Sequence, residues 1–349
     1  MAAPGENQYA VHLEWLDPHS QLLRPFHLKF FEVDDTLEIY DTRQHRMFLK
    51  RVAPPEGVRA KDLYVGNTVT VFSRKMKVTA YADDRTRRFF EAARSKALAI
   101  VMPRMVRRIG DLLQGMQDAG LECGQVRMLR FSPEEAASFV ALSRSREDSG
   151  ALSAGPVVAV ELVATDCLAT AAALSRSAPG LRVSPSAACV DAEIAYCFDP
   201  VRSGTALHRD CSVCVIRPYA VAEGKAGAIV RAIQAAGFTI SAMESVQFAG
   251  TDAADFLDAY KGVLPEFGEW VRDLESGPTL TMELVGEDVA AKFREFCGPY
   301  NPEIAKILRP DTLRAKFGDS AVQNAVHCTD LPTDGPLESK FVFHVIQNS

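Results

Sequence analysis

Histidine and cysteine are the side chains whose chemistry lies nearest neutral pH. The chain carries 7 histidines and 8 cysteines in 349 residues. His12, His19, His27 and His45 lie near the N-terminus, none has the spacing of metal ligands, and no function is assigned to them. Cys211 and Cys214 form a C-x-x-C pair inside the apolar run CSVCVI. With no second pair or histidine cluster after it, the pair reads as two small core residues rather than a zinc or redox site. Cysteines scattered without a framework spacing point to a reducing, cytosolic or cytoskeletal compartment. His327 is different in kind. It stands in NAVHCTD, residues 324–330. A neutral imidazole nitrogen is a nucleophile near pH 7 once a partner on the other nitrogen fixes the tautomer.

The elements that must position such groups follow from composition and pattern. The chain is 47% hydrophobic and 24% charged, enough to bury real cores. A net charge of -6 argues against a dedicated nucleic-acid binder. Met1–Ala10 is polar without an apolar signal core, and no apolar run is long enough to span a bilayer, so a membrane is not an expected partner either. Positive charge is local. From Asp84 to Arg108, Arg85, Arg87, Arg88, Arg94, Lys96, Arg104, Arg107 and Arg108 face only Asp84 and Glu91. This stretch reads as helical and basic, either a solvated face or a contact for an acidic partner.

Residues 6–82 read as strands. VHLEWL, FHLKFFEV, LEIYD, RMFLKR, TVTVFS and MKVTAY alternate apolar and polar residues. Asp34-Asp35 and Gly66-Asn67 supply turns, and Pro54-Pro55-Glu56-Gly57 a longer loop. The remainder repeats itself. SKALAIVMPRMVRRIGDLLQGMQDAGLECGQVRML aligns with CSVCVIRPYAVAEGKAGAIVRAIQAAGFTISAMESV, and SAGPVVAVELV with ESGPTLTMELV. Pro103 pairs with Pro218, Gly120 with Gly237 and Gly155 with Gly277 at nearly one separation, which marks a duplicated domain. Each copy runs strand, proline turn, amphipathic helix, strand, helix (Pro133–Leu142 or Thr251–Tyr260) and a strand after Gly-Pro. This βαββαβ-like order suits a ferredoxin-like α/β sandwich. The predicted class is α+β: a small, mostly antiparallel β domain (1–92), then two such sandwiches (93–203 and 204–349), joined near Asp199–Arg209.

About residues 211–349 resemble nucleoside diphosphate kinases. NAVHCTD matches the family's N-x-x-H-G-S-D signature. The resemblance implies that His327 takes a γ-phosphoryl group from ATP or another nucleoside triphosphate. It implies that Glu338, eleven residues downstream, fixes the tautomer, and that Thr329 stands for the family's serine. Arg294 in FREFCGP and Arg314 in DTLRAKFG match the phosphate-binding arginines, Asn324 the sugar contact, Tyr260 the tyrosine beside the nucleophile, and Phe267 the base-stacking aromatic. Magnesium would arrive with the nucleotide, with no protein cage of its own. Two departures stand out. Arg217 replaces the strand-end lysine, keeping the charge in a larger fork, and Tyr300 stands where a small threonine is expected, able to crowd the phosphates.

In the first copy Met102 occupies the lysine position and Arg182 the histidine position, eleven residues before Glu193. That copy cannot run a phosphohistidine mechanism and reads as scaffold. LEWLDPHSQLLRPFHLKFF, HRMFLKR and DLYVGNTVTVFSR resemble the small β domain of axonemal EF-hand proteins of doublet microtubules. That resemblance implies a structural microtubule inner protein of the ciliary or flagellar axoneme, in contact with tubulin and neighbouring axonemal proteins. The alternative is a working kinase passing a γ-phosphoryl group through phosphohistidine. Tandem copies on a short linker are expected to pair within one chain.

Overall fold

The computed structural model describes residues 8–17, 22–55, 58–72, 74–144, 148–202 and 204–346. His19, Glu56, Gly57 and Ser203 lie outside them. The chain divides into two compact units, Met1–Ser95 and Lys96–Ser349. Mixed α/β structure on antiparallel sheets makes the class α+β.

The first unit is a six-stranded sheet of β1 (Gln8–Leu16), β2 (Leu23–Phe31), β3 (Thr36–Asp41), β4 (Arg46–Val52), β5 (Thr68–Val71) and β6 (Arg74–Tyr81), in the order β4-β3-β2-β1-β6-β5. Period-two alternation sends Phe26, Leu28 and Phe30 into one core with Val11, Leu13 and Ile39. The turn after β3 is organised by buried Asp41, which accepts from Arg24 Nη2 at 2.6 Å and from the Gln44 backbone N–H at 2.8 Å. Those bonds outweigh burial and hold its carboxyl below the usual range. Helix α1 (Asp84–Ala93) closes the unit, its Thr86 hydroxyl accepting the Ala10 N–H at 2.9 Å. Helix therefore covers only part of the basic stretch Asp84–Arg108. An apolar run takes over at Arg94 as a strand, and Pro103–Arg108 is a short 3₁₀ turn.

The β1–β2 register sets His12 opposite His27, with ring centroids 5.2 Å apart and edge to face. Burial first, then the neighbouring His12 and Lys29, lower the His27 imidazole, against smaller opposing effects of Asp83 and Glu38. The unfolded chain thus binds a proton at His27 more readily than the fold does. Stability is in full above the ordinary imidazole value and falls as pH drops below it. We expect β1 and β2 amides to exchange faster at pH 5.5 than at pH 7.5, after correction for intrinsic rates, and His27→Gln to flatten that dependence. An unchanged slope in His27→Gln, read by peptide-resolved hydrogen exchange, would refute the assignment.

The second unit holds both copies. The first copy runs β7 (Arg94–Val101), α2 (Ile109–Asp118), β8 (Glu122–Arg130), α3 (Pro133–Leu142), α4 (Ser149–Ser153), β9 (Pro156–Thr165), α5 (Cys167–Ser177), β10 (Leu181–Val183) and α6 (Ala187–Cys197). The second runs β11 (Cys211–Ile216), α7 (Pro218–Ala222), α8 (Ala226–Ala235), β12 (Thr239–Val246), α9 (Asp252–Phe256), α10 (Phe267–Glu275), β13 (Thr279–Val285), α11 (Val289–Cys297), α12 (Pro302–Leu308), α13 (Leu313–Phe317), β14 (Val326–Cys328) and α14 (Gly335–Lys340). The expected helix Thr251–Tyr260 is broken into α9 and a 3₁₀ turn, Asp258–Tyr260. Gly120 and Gly237 follow α2 and α8 with φ of 75° and 89°, the left-handed stop that a glycine adopts without strain.

The eight strands form one sheet, β10-β7-β9-β8-β12-β13-β11-β14. Each half has the ferredoxin-like order, and the halves meet edge to edge at β8 and β12. There Glu244 pairs with Arg127 in register, Arg127 Nε lies 3.1 Å from the Glu244 carboxylate, and Val126 N–H donates to Ser245 Oγ at 2.9 Å. Helices α2 and α8 cross above the joint. Gly110 N–H donates to Gln234 Oε1 at 3.0 Å, and its counterpart Gly227 donates to Gln117 Oε1 at 3.2 Å. A single core spans the pair, with Leu113, Met116 and Val160 in the same cluster as Ile229, Ile233 and Met282. Sharing this core is why the two copies form one compact unit. The linker is held as well. Arg127 donates to the Asp199 and Arg202 carbonyls, and the buried Glu283 carboxylate accepts the Leu207 and His208 N–H groups, each at 2.7 Å.

Candidate functional site

β14 is short because only three residues pair with β11, yet that pairing fixes His327 opposite Val215. The residue before the strand, Ala325, has φ 69°, a left-handed conformation uncommon outside glycine, and its carbonyl accepts the Arg217 N–H at 3.0 Å. His327 is 3% exposed. Its ring meets Phe256 at 4.8 Å and Tyr260 at 6.2 Å between centroids, both edge to face. Nε2 faces Glu338 Oε1 at 3.4 Å, which turns Nδ1 away from the carboxylate. Glu338 is itself oriented. Thr329 donates to its Oε2 at 2.6 Å while accepting the Val213 N–H at 2.8 Å. α14 can bring Glu338 this close because Gly335 lies against Cys211, where a Cβ would overlap the Cys211 carbonyl. Carboxylate, imidazole and hydroxyl thus lie side by side, although buried His327 Nε2 makes no hydrogen bond to the carboxylate or to any other described residue.

The cationic residues are arranged differently from what phosphate binding asks. Arg314 is 8% exposed, and its three nitrogens turn inward: Nε to the Val326 carbonyl at 3.1 Å, Nη1 to the Gly298 carbonyl at 2.8 Å and Nη2 to Cys328 Sγ at 3.5 Å. Cys328 has its thiol lowered to about 6, chiefly by the Cys297 hydrogen bond, with Arg314 and His327 adding to it against burial. Arg294 stays on the surface and donates to Asp330 Oδ1 at 2.9 Å, while Tyr260 donates to Asp330 Oδ2 at 2.8 Å. Burial first, then Asp330, raise the Tyr260 phenol, so it remains a donor.

Arg217 is 1% exposed. Its Nη1 donates to Asp273 at 3.0 Å and its Nε to Asn324 Oδ1 at 2.9 Å, while its guanidinium lies 4.6 Å from the Trp270 ring centroid. Asn324 is fully buried and donates to the Tyr300 carbonyl at 3.2 Å. Tyr300 turns its ring toward Trp270, 6.3 Å between centroids. Phe267 opens α10 and packs half-buried against the cluster of Phe256 and Trp270. His327, Glu338, Thr329, Tyr260, Arg294 and Arg314 therefore gather around β14, whereas Arg217 and Asn324 bind each other beneath α10. The cavities of about 990 and 700 Å³ in this unit are lined by other residues, among them Phe238, Phe296 and Arg309 in one and Cys211, Glu287 and Pro332 in the other. Among the described residues no group of three or more His, Cys, Asp or Glu is placed to hold a metal ion.

Sequence reasoning passed over Trp270 and Asp273. The signal was present: Phe267, Trp270, Val271 and Leu274 recur at helical spacing. It also gave Asp330 no role, although that residue ends the histidine signature.

The histidine, threonine and glutamate at β14 and α14 have counterparts in the first copy, with arginine for the histidine and serine for the threonine. Arg182 stands in the histidine's place, its Nη2 donating to Glu193 at 2.6 Å, and Ser184 donates to the other Glu193 oxygen. Phe139 lies under Arg182 at 4.8 Å as Phe256 lies beside His327. Glu193 there neutralises a permanent cation and has no nucleophile to orient.

A family model for nucleoside diphosphate kinase matches residues 210–347. Nucleoside diphosphate kinase homolog 7 of Rattus norvegicus is 36% identical over 98% of this chain and 94% of its own, and that of Mus musculus 36% identical over the same shares. A bacterial nucleoside diphosphate kinase, from Nitratiruptor sp., is 38% identical over 37% of this chain and 91% of its own. Bacterial kinases align with a single copy, while the homolog 7 proteins align from the β unit through both copies, and the chain belongs to the nucleoside diphosphate kinase family as a member of this homolog 7 group.

Proposed function

We propose that this protein is a structural microtubule inner protein of ciliary and flagellar doublet microtubules, in contact with tubulin and neighbouring axonemal proteins, and that its last repeat keeps a reduced nucleotide site. The observation that carries this reading is the inward commitment of the site's cations. Arg217 is bound to Asp273 and Asn324, Arg314 to two carbonyls and a sulfur, and Arg182 replaces the nucleophile of the other repeat. Phosphoryl transfer depends on positive charge placed around the transferring oxygens. Here the charge of Arg217 and Arg314 is turned to holding the fold, while Arg294 stays at the surface beside Asp330. The exposed arginines support a binding role: Arg85, Arg87 and Arg88 on the first unit, and Arg104, Arg107 and Arg108 on the second. Tubulin is acidic, and each further domain adds contact area. Contacts buried in a repeating lattice also lose less to salt than exposed ones.

A second reading, a working nucleoside diphosphate kinase, is favoured by the His327–Glu338–Thr329 geometry. Nδ1 would attack the γ-phosphorus of a magnesium-bound nucleoside triphosphate, releasing the diphosphate, and the phosphohistidine would then pass its phosphoryl group to a second diphosphate. Magnesium here is the nucleotide's own companion and neutralises phosphate charge.

One fractionation decides between them. The protein is expected to stay with doublets through high-salt extraction and to leave only when the doublet wall is dissolved. Loss of residues 1–92 should weaken retention and His327→Asn should not. Recovery of most of it in the soluble membrane-plus-matrix fraction, together with an acid-labile phosphate after ATP that disappears in His327→Asn, would establish the kinase instead.

A further inference from the structure

Asp273 belongs to no motif of the site, yet among the described residues it is the one carboxylate that Arg217 hydrogen-bonds. α10 delivers it, on the same face as Trp270. The Trp270 indole donates to the Ala321 carbonyl at 2.9 Å, which fixes the ring over which the Arg217 guanidinium lies. From Asp273 the hydrogen bonds run through Arg217 and Asn324 to the Tyr300 carbonyl without a break. Both ends of a nucleotide contact are used: the cation by a carboxylate, the amide by the cation.

We propose that Asp273 is an internal competitor for nucleotide phosphate, holding Arg217 and, through it, Asn324 in a closed arrangement that a nucleoside diphosphate must displace. The inference rests on reading Arg217 and Asn324 as the contacts of the reduced nucleotide site. A carboxylate and a phosphate are both anions that a guanidinium binds in the same forked way. The carboxylate, tethered in the same domain, competes at high effective concentration. A ligand that binds only the open form has its apparent affinity reduced by the open fraction. Burial opposes charge on both partners, raising the Asp273 carboxyl and lowering the Arg217 guanidinium, and each partly offsets the other. Removing the carboxylate therefore leaves a buried cation in want of an anion.

The test is calorimetric titration of the full chain with magnesium ADP, with adenosine as the uncharged control. Asp273→Asn keeps the shape and removes the charge. It is expected to bind ADP at least tenfold more tightly than wild type, while adenosine, which offers Asn324 its ribose but Arg217 no phosphate, gains no more than about twofold. If Asp273→Asn does not fold, Arg217→Lys is read in its place. A lysine keeps the charge but not the fork that joins Asp273 to Asn324, and a gain of about threefold is expected. Wild type binding ADP with no gain in the folded variant overturns the competitor and leaves the nucleotide site standing. Failure of every folded variant to bind ADP overturns the site reading and this inference with it. An equal gain for adenosine also overturns it, since the phosphate is then not what Asp273 excludes.

Discussion

Glu193→Ala is expected to cost about 3–5 kcal/mol of stability, the range for breaking a buried ion pair from one side. Glu193 is fully buried and its partner Arg182 has a side chain 3% exposed, with 2.6 Å between them. Alanine would leave the guanidinium charge beside the Phe139 ring without its carboxylate, and would take from Ser184 its short acceptor. Because the two repeats share a core, the loss should appear as an earlier urea transition of the whole second unit. The double replacement Arg182→Met with Glu193→Leu should recover most of it, since a well-packed apolar pair of similar volume is often neutral relative to a buried ion pair. A shift of less than about 1 kcal/mol in Glu193→Ala would show that the pair is not what holds β10 to α6.

Two glycines of one helix should respond to alanine with opposite signs. A Cβ at Gly110 would overlap the backbone of Arg231 at the α2–α8 crossing, whereas at Gly115 its nearest neighbour is Leu174 Cδ1 at an ordinary 3.9 Å. Gly110→Ala should therefore force the helices apart and cost about 1–3 kcal/mol or more. Gly115→Ala should stabilise by roughly 0.5–1 kcal/mol, the helical advantage of alanine over glycine. Gly227→Ala should behave as Gly110→Ala, because its Cβ would come within 2.5 Å of the Gln114 backbone nitrogen. Thermal unfolding of the three variants is the measurement. Stabilisation by Gly110→Ala would mean that the repeats do not cross as closely as this.

Much of the architecture was legible because it rests on local chemistry. Prolines after β7 and β11, glycines after α2 and α8, and the Gly-Pro before each third strand mark positions that few other residues fill, and they recur in both copies. The histidine, its glutamate and its threonine came from the family resemblance that NAVHCTD carries, and the structure places the three close together at β14 and α14. Two features were hidden. The basic count over Asp84–Arg108 masked a change of periodicity at Arg94, since charge says nothing about backbone. The fate of Arg217 was set by Asp273, which is far along the chain and meets it only through the packing of α10. A sequence shows that a cation is present, but a buried partner decides whether that cation is available.

The edge-to-edge joining of β8 and β12 in one sheet changes how assembly depends on amount. Two separate subunits meeting at such an edge would part on dilution, and each would expose a row of unpaired backbone groups. Here the partner is covalently attached, so the joint persists at any protein level. It also fixes composition: every pair holds one histidine and one arginine at equivalent places, never two of either. A ligand specific to the last repeat then has one such site per chain, and no like site within the same chain to couple with.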